Sequence, residues 1–392
     1  MNFQKNRLKE LDFSRGFFIL MVSWVHVSFF IGGSSLGEIF YYTTNFPQMS
    51  KATYHLWTLS EQLTPAGFFL LMGVSVELSA RKALQSAQSR YFLYKRGIFI
   101  ALLGALIIRP FYLMAPLEKI GDVGPSGLGT YIVVGIFIIL GATLIGVTFL
   151  RNMFFKLSSR SYSSIALFFG LALLIISGLV EIFDTHIDLY VNSSHVFLQS
   201  FMEMLLVSGK TGYFKATFSI FPWLGYALIG IWYGNRVKNM GRKEIKKELI
   251  AALLLIVVFF TIKFFQLNAR PFWDNLFLMS KYPPSIPLSI ICMAYFLFMI
   301  NIFRLMSHDS KLLMPLEILG KNSLFIYCIH FPFFIILGWG INKMTGRYIE
   351  NLAVMNIVWF MGMGLLTYIT QKFDAFKKSQ DSKILKRFLP YF

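Results

Sequence analysis

An arginine and a histidine lie eleven positions apart in the first apolar run of the chain, at Arg15 and His26. Eleven residues make about three helical turns, so the two side chains would share one helix face about 16 Å apart. An imidazole titrates near neutral pH and can take a proton from a hydroxyl or amine that attacks an acyl carbonyl. The spacing therefore predicts His26 as a general base or a transient acyl carrier. The alternative is that Arg15 only anchors the helix end and that His26 is a hydrogen-bonded packing residue.

Two polar residues close to this pair in sequence can support it. Asp12 lies three positions before Arg15 and can hold its guanidinium, while Ser23 lies one turn before His26. A guanidinium binds phosphate oxygens in a bidentate manner, which lysine does less well. We therefore predict that Arg15 binds the phosphates of a soluble acyl donor at the cytoplasmic surface.

A second group of cations opens the third apolar run. Arg90, Lys95 and Arg96 lie within two turns of one another, and their charge suits a nucleotide diphosphate. The tendency of cytoplasmic loops to carry Lys and Arg predicts the same cluster without any ligand. Both interpretations stay open for these three residues.

The second apolar run has ionisable residues at both ends. His55 is a candidate second base or a residue of the membrane interface. Glu61 lies near the outward end, where it can contact an acceptor or serve as a solvated carboxylate at a helix start. Glu77 lies four positions before Arg81, and this spacing favours a local ion pair. Pro65 predicts a kink between them.

The segment before the eighth apolar run combines aromatic and charged residues. It contains Trp273, Asp274, Lys281 and Tyr282. Aromatic rings beside charges suit the stacking and binding of a sugar, and they are equally typical of an interfacial belt. We predict these four residues as candidate substrate-binding residues.

Asn322 and His330 lie inside the ninth apolar run. The run offers His330 neither an acidic partner nor a second histidine at metal-binding spacing. We therefore expect a hydrogen-bonded supporting role for both residues and no metal site. The sequence also has no phosphate-loop or nucleophile-elbow motif.

The composition indicates what positions these residues. The chain has 392 residues, of which 56% are apolar and 14% charged, against about 25% charged in a soluble domain. The formal charge of +18 comes from Lys and Arg in short segments between apolar runs, which is typical of membrane topology signals and not of nucleic-acid binding. Both cysteines lie in apolar runs, so no disulfide framework is expected.

Ten apolar runs are long enough to span a membrane as helices, since a span needs about 20 residues. They cover residues 13–31, 57–80, 92–114, 130–150, 163–183, 214–235, 249–267, 285–303, 317–340 and 351–371. Their continuous apolar character excludes the alternating pattern of barrel strands. The predicted fold class is all-α: a polytopic integral membrane bundle of about ten helices.

The distribution of Lys and Arg orients this bundle. Most of them lie in the N-terminal segment, in every second loop and in the tail, so we predict these parts and both chain ends to be cytoplasmic. The loops 32–56 and 184–213 then face outward as acceptor surfaces. We divide the chain into a transmembrane acyltransferase domain of residues 1–372 and a basic amphipathic tail of residues 373–392, which suits a helix on anionic lipid.

Several motifs, in order along the chain, resemble the membrane acyltransferases that include heparan-alpha-glucosaminide N-acetyltransferase, its bacterial relatives and the acyltransferase-3 proteins. Residues 7–16 read R-x-x-x-L-D-x-x-R-G, and Arg15 with His26 is similar to the arginine, ten residues, histidine pattern of acyltransferase-3. Further similar motifs lie at residues 65–79, 221–234, 281–285 and 319–330. The resemblance covers residues from about 7 to 340.

The resemblance implies a donor such as acetyl-CoA bound from the cytoplasm, an acyl group passed through the bundle, and an extracytoplasmic sugar as acceptor. It implies two candidates for the catalytic histidine. The acyltransferase-3 pattern points to His26, and a histidine in the first outer loop of the heparan enzyme points to His55. Arg90 and Arg96 are loosely similar to an arginine pair of acyltransferase-3.

We therefore expect an acetyl-CoA-dependent O- or N-acyltransferase of the cytoplasmic (inner) membrane that modifies a hydroxyl or amine of a cell-envelope glycan. Its expected partners are membrane lipid, acyl-CoA and the glycan or sugar acceptor, without nucleic acid, and a homo-oligomer stays open. The alternative is a transporter or flippase of a lipid-linked sugar or small anion, which needs no thioester. A non-catalytic scaffold of an envelope-synthesis complex is a third hypothesis.

Overall fold

The computed structural model describes fourteen segments of the chain. These are residues 8–31, 51–83, 87–108, 132–154, 158–190, 201–202, 204–206, 209–211, 214–216, 218–237, 240–265, 279–306, 311–349 and 351–379. Eleven α-helices and three short strands have defined ends within this part of the chain.

The helices follow one another along most of the described sequence. They are α1 (Lys9–Phe30), α2 (Lys51–Ala83), α3 (Ala87–Leu103), α4 (Ile136–Met153), α5 (Ser159–Tyr190), α6 (Ile220–Val237), α7 (Arg242–Phe265), α8 (Ile286–Leu305), α9 (Met314–Lys321), α10 (Ser323–Thr345) and α11 (Leu352–Ser379). A π-helical turn at Gly104–Ile108 continues α3, and a 3-10 turn at Lys311–Leu313 precedes α9. The α2 helix continues through Pro65.

Seven of the described helices are long and apolar enough to cross a membrane: α3 with its π-helical turn, α4, α5, α7, α8, α10 and α11. Their sides expose large apolar residues such as Leu254, Val257 and Phe264 of α7 and Phe360 of α11. Lipid can cover such surfaces without the cost that water imposes. The protein is therefore a multi-pass membrane protein. The other three of the ten expected spans overlap with α1, α2 and α6. The start of the sixth expected span was wrong, because Phe214–Ala216 form a strand and α6 begins at Ile220.

The ninth expected span differs from the structure. Its helix is interrupted at Asn322, whose backbone angles (φ −116°, ψ 35°) are not helical, so α9 ends at Lys321 and α10 begins at Ser323. The Asn322 amide donates a hydrogen bond of 3.2 Å to the carbonyl of Ile318, and local bonds of this kind compete with the helix. Lys321, expected inside the span, therefore lies at the end of α9, where it is paired with Glu317.

The predicted domain boundary at residue 373 falls inside a helix. The last helix, α11, continues to Ser379, so the first residues of the predicted tail extend the preceding span. Residues 380–392 lie outside the described residues.

Three strands form a small sheet that the sequence pattern does not predict. They are β1 (Ile132–Val134), β2 (Gly209–Thr211) and β3 (Phe214–Ala216). The order is β1-β3-β2, with β1 parallel and β2 antiparallel to β3. Strands of three residues are too short to show a recognisable alternation in sequence.

The chain divides into two compact units. The first comprises Met1–Thr64, Ile108–Gly129 and Ile302–Phe392. In it α1 lies along α9 and α10, and α11 packs against the same three helices. Its buried core includes Phe13, Phe18 and Phe331. This unit holds the candidate residues of the first and ninth apolar runs.

The second unit comprises Pro65–Ile107 and Thr130–Asn301. It contains the end of α2, helices α3 to α7, most of α8, and the sheet. Helix α5 packs along α6, and α3 packs along α4. Its core includes Phe69, Trp223, Tyr226 and Tyr233, all fully buried.

Candidate active site

The first turn of α1 holds two acidic residues, Glu10 and Asp12, where the helix macrodipole favours negative charge. Both side chains are buried. Oδ1 of Asp12 accepts a 2.7 Å hydrogen bond from Nη1 of Arg15, and Oε1 of Glu10 lies 3.3 Å from Nε of Arg304 in α8. Each carboxylate therefore has a guanidinium partner, which offsets part of the cost of burying it.

Helix α1 approaches α9 and α10 closely at three glycines: Gly16 of α1, Gly320 of α9 and Gly338 of α10. A methyl group on Gly320 of α9 would overlap the carbonyl oxygen of Asp12, and one on Gly338 of α10 would overlap the carbonyl oxygen of Phe30. Backbones come this close only where one helix lacks a side chain. These contacts hold both ends of α1 and so set the positions of its polar residues.

The imidazole of His26 contacts that of His330 in α10. Nδ1 of His26 lies 2.9 Å from Nε2 of His330, and the ring planes are nearly parallel, with 5.2 Å between centroids and 17° between planes. The His330 side chain is fully buried, whereas His26 is half-buried. The Phe331 ring packs against both imidazoles, with 4.5 Å between centroids in each pair. Two residues 304 positions apart therefore form one hydrogen-bonded pair.

Two indole N–H groups form hydrogen bonds between α1 and α11 beside the histidine pair. Nε1 of Trp24 donates a 2.9 Å hydrogen bond to Oδ1 of Asn356, and Nε1 of Trp359 donates a 3.0 Å hydrogen bond to Oγ of Ser23. The Ser23 hydroxyl donates in turn to the carbonyl of Leu20 at 2.9 Å. The predicted supporting residue Ser23 therefore links two helices next to His26.

The other cations predicted to bind the donor lie on α3, in the second unit. Nζ of Lys95 lies 4.3 Å from the ring centre of Tyr91, and Arg96 is half-buried. Arg90 lies in the first turn of α3, and its side chain is outside the described residues.

The predicted acceptor residues are described in part. Glu61 is half-buried on α2. His55 lies near the start of α2, and its side chain is outside the described residues. Trp273 and Asp274 lie outside them altogether.

A family model matches residues 7–264, about two thirds of the chain; its description is heparan-alpha-glucosaminide N-acetyltransferase, catalytic. The chain belongs to this family. A comparison with curated proteins gave no match. Membership implies an acetyltransferase embedded in a membrane, and the family uses acetyl-CoA. The matched segment contains Arg15 and His26, whereas His330 lies beyond it.

Lys281 and Tyr282 of this acetyltransferase family member lie in a tight turn before α8. The Tyr282–Pro283 peptide bond is cis, and Lys281 pairs with Pro284 across the turn. Nζ of Lys281 lies 5.0 Å from the ring centre of Tyr282 and 5.7 Å from that of Phe218. The turn therefore brings the two predicted substrate-binding residues together, with the Lys281 side chain buried against aromatic rings.

Among the described residues, Glu77 forms an ion pair with a residue that helical spacing did not predict. Its Oε2 lies 3.6 Å from Nε of Arg151 in α4, and the guanidinium of Arg151 lies 4.4 Å from the ring centre of Tyr162 in α5. Glu77 is fully buried. The side chain of Arg81, the expected partner, is outside the described residues. The only sequence signal for this cluster was an acidic residue within an apolar run.

Among the described residues, no three His, Cys, Asp or Glu side chains lie close enough together to hold a metal ion. The two cysteines, Cys292 of α8 and Cys328 of α10, are buried and do not form a disulfide. Each of them fills space within the core of its own unit.

Proposed function

We propose that the protein transfers an acetyl group from cytoplasmic acetyl-CoA to an amine or hydroxyl of an extracytoplasmic cell-envelope glycan, with His26 as general base. The observation that carries the proposal is the position of His26. Its imidazole is half-buried, and its Nδ1 lies 2.9 Å from Nε2 of His330. His26 and Arg15 are on the same helix, α1. A general base must be held in place and still be within reach of its substrate. The family match supports the acetyltransferase chemistry and favours an amine as acceptor.

The transfer involves one bond formed and one bond broken. The acceptor nitrogen or oxygen forms a bond to the carbonyl carbon of the thioester, and the carbon–sulfur bond breaks. His26 takes the proton that the acceptor loses, and this proton then passes to the thiolate of CoA. A single positioned base contributes about 10²–10⁴-fold to the rate of such a step.

Arg15 is proposed to bind the donor phosphates. In the ion pair with Asp12, the Arg15 side chain is 19% exposed while the Asp12 side chain is 1% exposed. The pair therefore presents its positive member to a ligand, and the buried carboxylate orients the planar group for bidentate binding. For Arg90, Lys95 and Arg96 of α3, a donor-binding role is proposed from the sequence alone.

The proposed topology places both chain ends in the cytoplasm and the protein in the cytoplasmic membrane, with α1, α2 and α6 as additional spans. Residues 1–372 would form the acyltransferase domain. Residues 373–392 would form a basic tail on anionic lipid. Within its described part, Lys378 donates a 2.7 Å hydrogen bond to Asp374.

Purified protein in lipid nanodiscs, supplied with acetyl-CoA labelled in its acetyl group and with glucosamine-terminated oligosaccharides, tests this function. We expect free CoA to be released in the same amount as labelled acetyl appears on the acceptor. Neither product should form without the acceptor. Flux of a lipid-linked sugar through proteoliposomes in the absence of any thioester, together with no CoA release, would instead support a transporter.

A further inference from the structure

The proton positions in the histidine pair follow from a backbone contact of His330. Nδ1 of His330 lies 3.1 Å from the carbonyl oxygen of Ile326, one turn earlier in α10. A carbonyl oxygen can only accept a hydrogen bond, so Nδ1 of His330 must carry a proton. The contact therefore selects one side of the His330 ring as donor.

The surroundings of His330 favour a ring with only that one proton. Its side chain is fully buried, and the rings of Tyr327 and Phe331 pack around it with centroids 5.2 and 4.5 Å away. A charged imidazolium in an apolar membrane helix would be costly. With its single proton on Nδ1, neutral His330 has an unprotonated Nε2 that acts as a hydrogen-bond acceptor.

The same bond then determines the tautomer of His26. Since Nε2 of His330 accepts, Nδ1 of His26, 2.9 Å away, must donate the proton between them. A neutral His26 therefore carries its proton on Nδ1 and its lone pair on Nε2. We propose that His330 is a positioning residue that holds His26 in this tautomer, so that Nε2 of His26 takes the proton of the acceptor. This inference rests on the proposed acetyl transfer.

Other catalytic histidines are likewise oriented by an acceptor that binds the N–H of the ring nitrogen not used in catalysis. Here the acceptor is a neutral imidazole instead of a carboxylate. When Nε2 of His26 takes a proton, the Nδ1 proton remains bonded to His330, and a bond from a charged donor is about twice as strong as a neutral one. His330 thus stabilises the imidazolium of His26 while its own proton stays on Nδ1.

Two amide substitutions separate positioning from packing. In His330→Gln the side-chain amide reaches as far as Nε2, so its oxygen can still accept from His26. In His330→Asn the shorter amide reaches only the place of Nδ1, so it can bond to Ile326 but not to His26. We expect His330→Gln to keep kcat within about threefold of wild type. His330→Asn should lower kcat by about tenfold or more, a part of the about 10²–10⁴-fold that a general base supplies, with KM for acetyl-CoA unchanged.

The tautomer can be read without any enzyme assay. The protein has six histidines, and ¹⁵N labelling of histidine with magic-angle-spinning NMR in lipid distinguishes protonated from unprotonated ring nitrogens. The signals lost in His26→Ala assign those of His26. We expect a protonated Nδ1 and an unprotonated Nε2 on His26 in wild type, and loss of this preference in His330→Asn.

Two results would overturn the inference. One is an unprotonated Nδ1 on neutral His26 in the wild-type protein. The other is wild-type kcat in a folded His330→Asn variant. If His26 has the expected tautomer but the protein transfers no acetyl group, the proposed function fails while the assignment of the proton positions holds.

Discussion

Nη1 of Arg15 lies 2.7 Å from Oδ1 of Asp12, and burial of this pair is uneven, because the carboxylate is buried and the guanidinium partly exposed. Removing only Arg15 would leave the buried carboxylate without this partner. Breaking a buried ion pair in that way costs about 3–5 kcal/mol. Weaker donor binding by Arg15→Ala would therefore not distinguish loss of the binding group from loss of the folded structure.

The double variant Asp12→Asn/Arg15→Gln removes both charges and avoids that problem. We predict that it folds like wild type and binds acetyl-CoA at least about tenfold more weakly, a difference of about 1.4 kcal/mol, because the guanidinium no longer meets the donor phosphates. Calorimetric titration in nanodiscs measures the affinity. The matched control is Arg347→Gln, at an exposed position just after α10, which should keep the wild-type affinity. Equal affinity in the double variant would contradict the role of Arg15.

Two glycines of α10 offer a matched pair for the contact with α1. A methyl group on Gly338 would overlap the carbonyl of Phe30, whereas one on Gly340 would meet no heavy atom of the described residues within 4 Å. We predict that Gly338→Ala lowers the free energy of unfolding by about 1–3 kcal/mol through overpacking. Gly340→Ala should be neutral or stabilising by up to about 1 kcal/mol, since alanine favours the helix. Thermal unfolding of the two variants, followed by fluorescence-detected size exclusion, distinguishes these outcomes, and equal melting temperatures would contradict the close contact.

The buried pair of Glu77 and Arg151 allows a double-mutant cycle. We predict that Glu77→Gln and Arg151→Met each lower the free energy of unfolding by about 3–5 kcal/mol, because each removes the opposite charge of this pair from a buried position. The double variant should lose clearly less than the sum of the two. Asp374→Asn, in the exposed pair with Lys378, is the control and should change stability by only about 0–1 kcal/mol. Additive losses in the cycle would show that Glu77 and Arg151 do not depend on each other.

Contacts between near neighbours on one helix could be predicted from sequence. Asp12 and Arg15 are three positions apart on α1, so helical spacing alone places them together, and the structure contains their ion pair. The membrane class was predictable for a similar reason, because an apolar run long enough to span needs no knowledge of its neighbours.

Contacts between distant helices could not be predicted in this way. His330 is 304 residues from His26, and one sequence contains no signal for which apolar helices pack together. Glu77 shows the same limit. Helical spacing points to Arg81 as its ion-pair partner, and no sequence signal connects Glu77 with the distant Arg151. The interruption at Asn322 was missed because one residue with a local side-chain bond barely changes the hydropathy of a long apolar run.

The measurement that tests the central claim most directly is acetyl transfer across a sealed membrane by His26→Ala. Proteoliposomes would hold acetyl-CoA with a labelled acetyl group on the side of the chain ends and a glucosamine-terminated acceptor on the other side, with His55→Ala measured in parallel. We predict that His26→Ala inserts and binds acetyl-CoA like wild type but transfers no label above background. Full transfer by His26→Ala would contradict the assignment of His26 as the base.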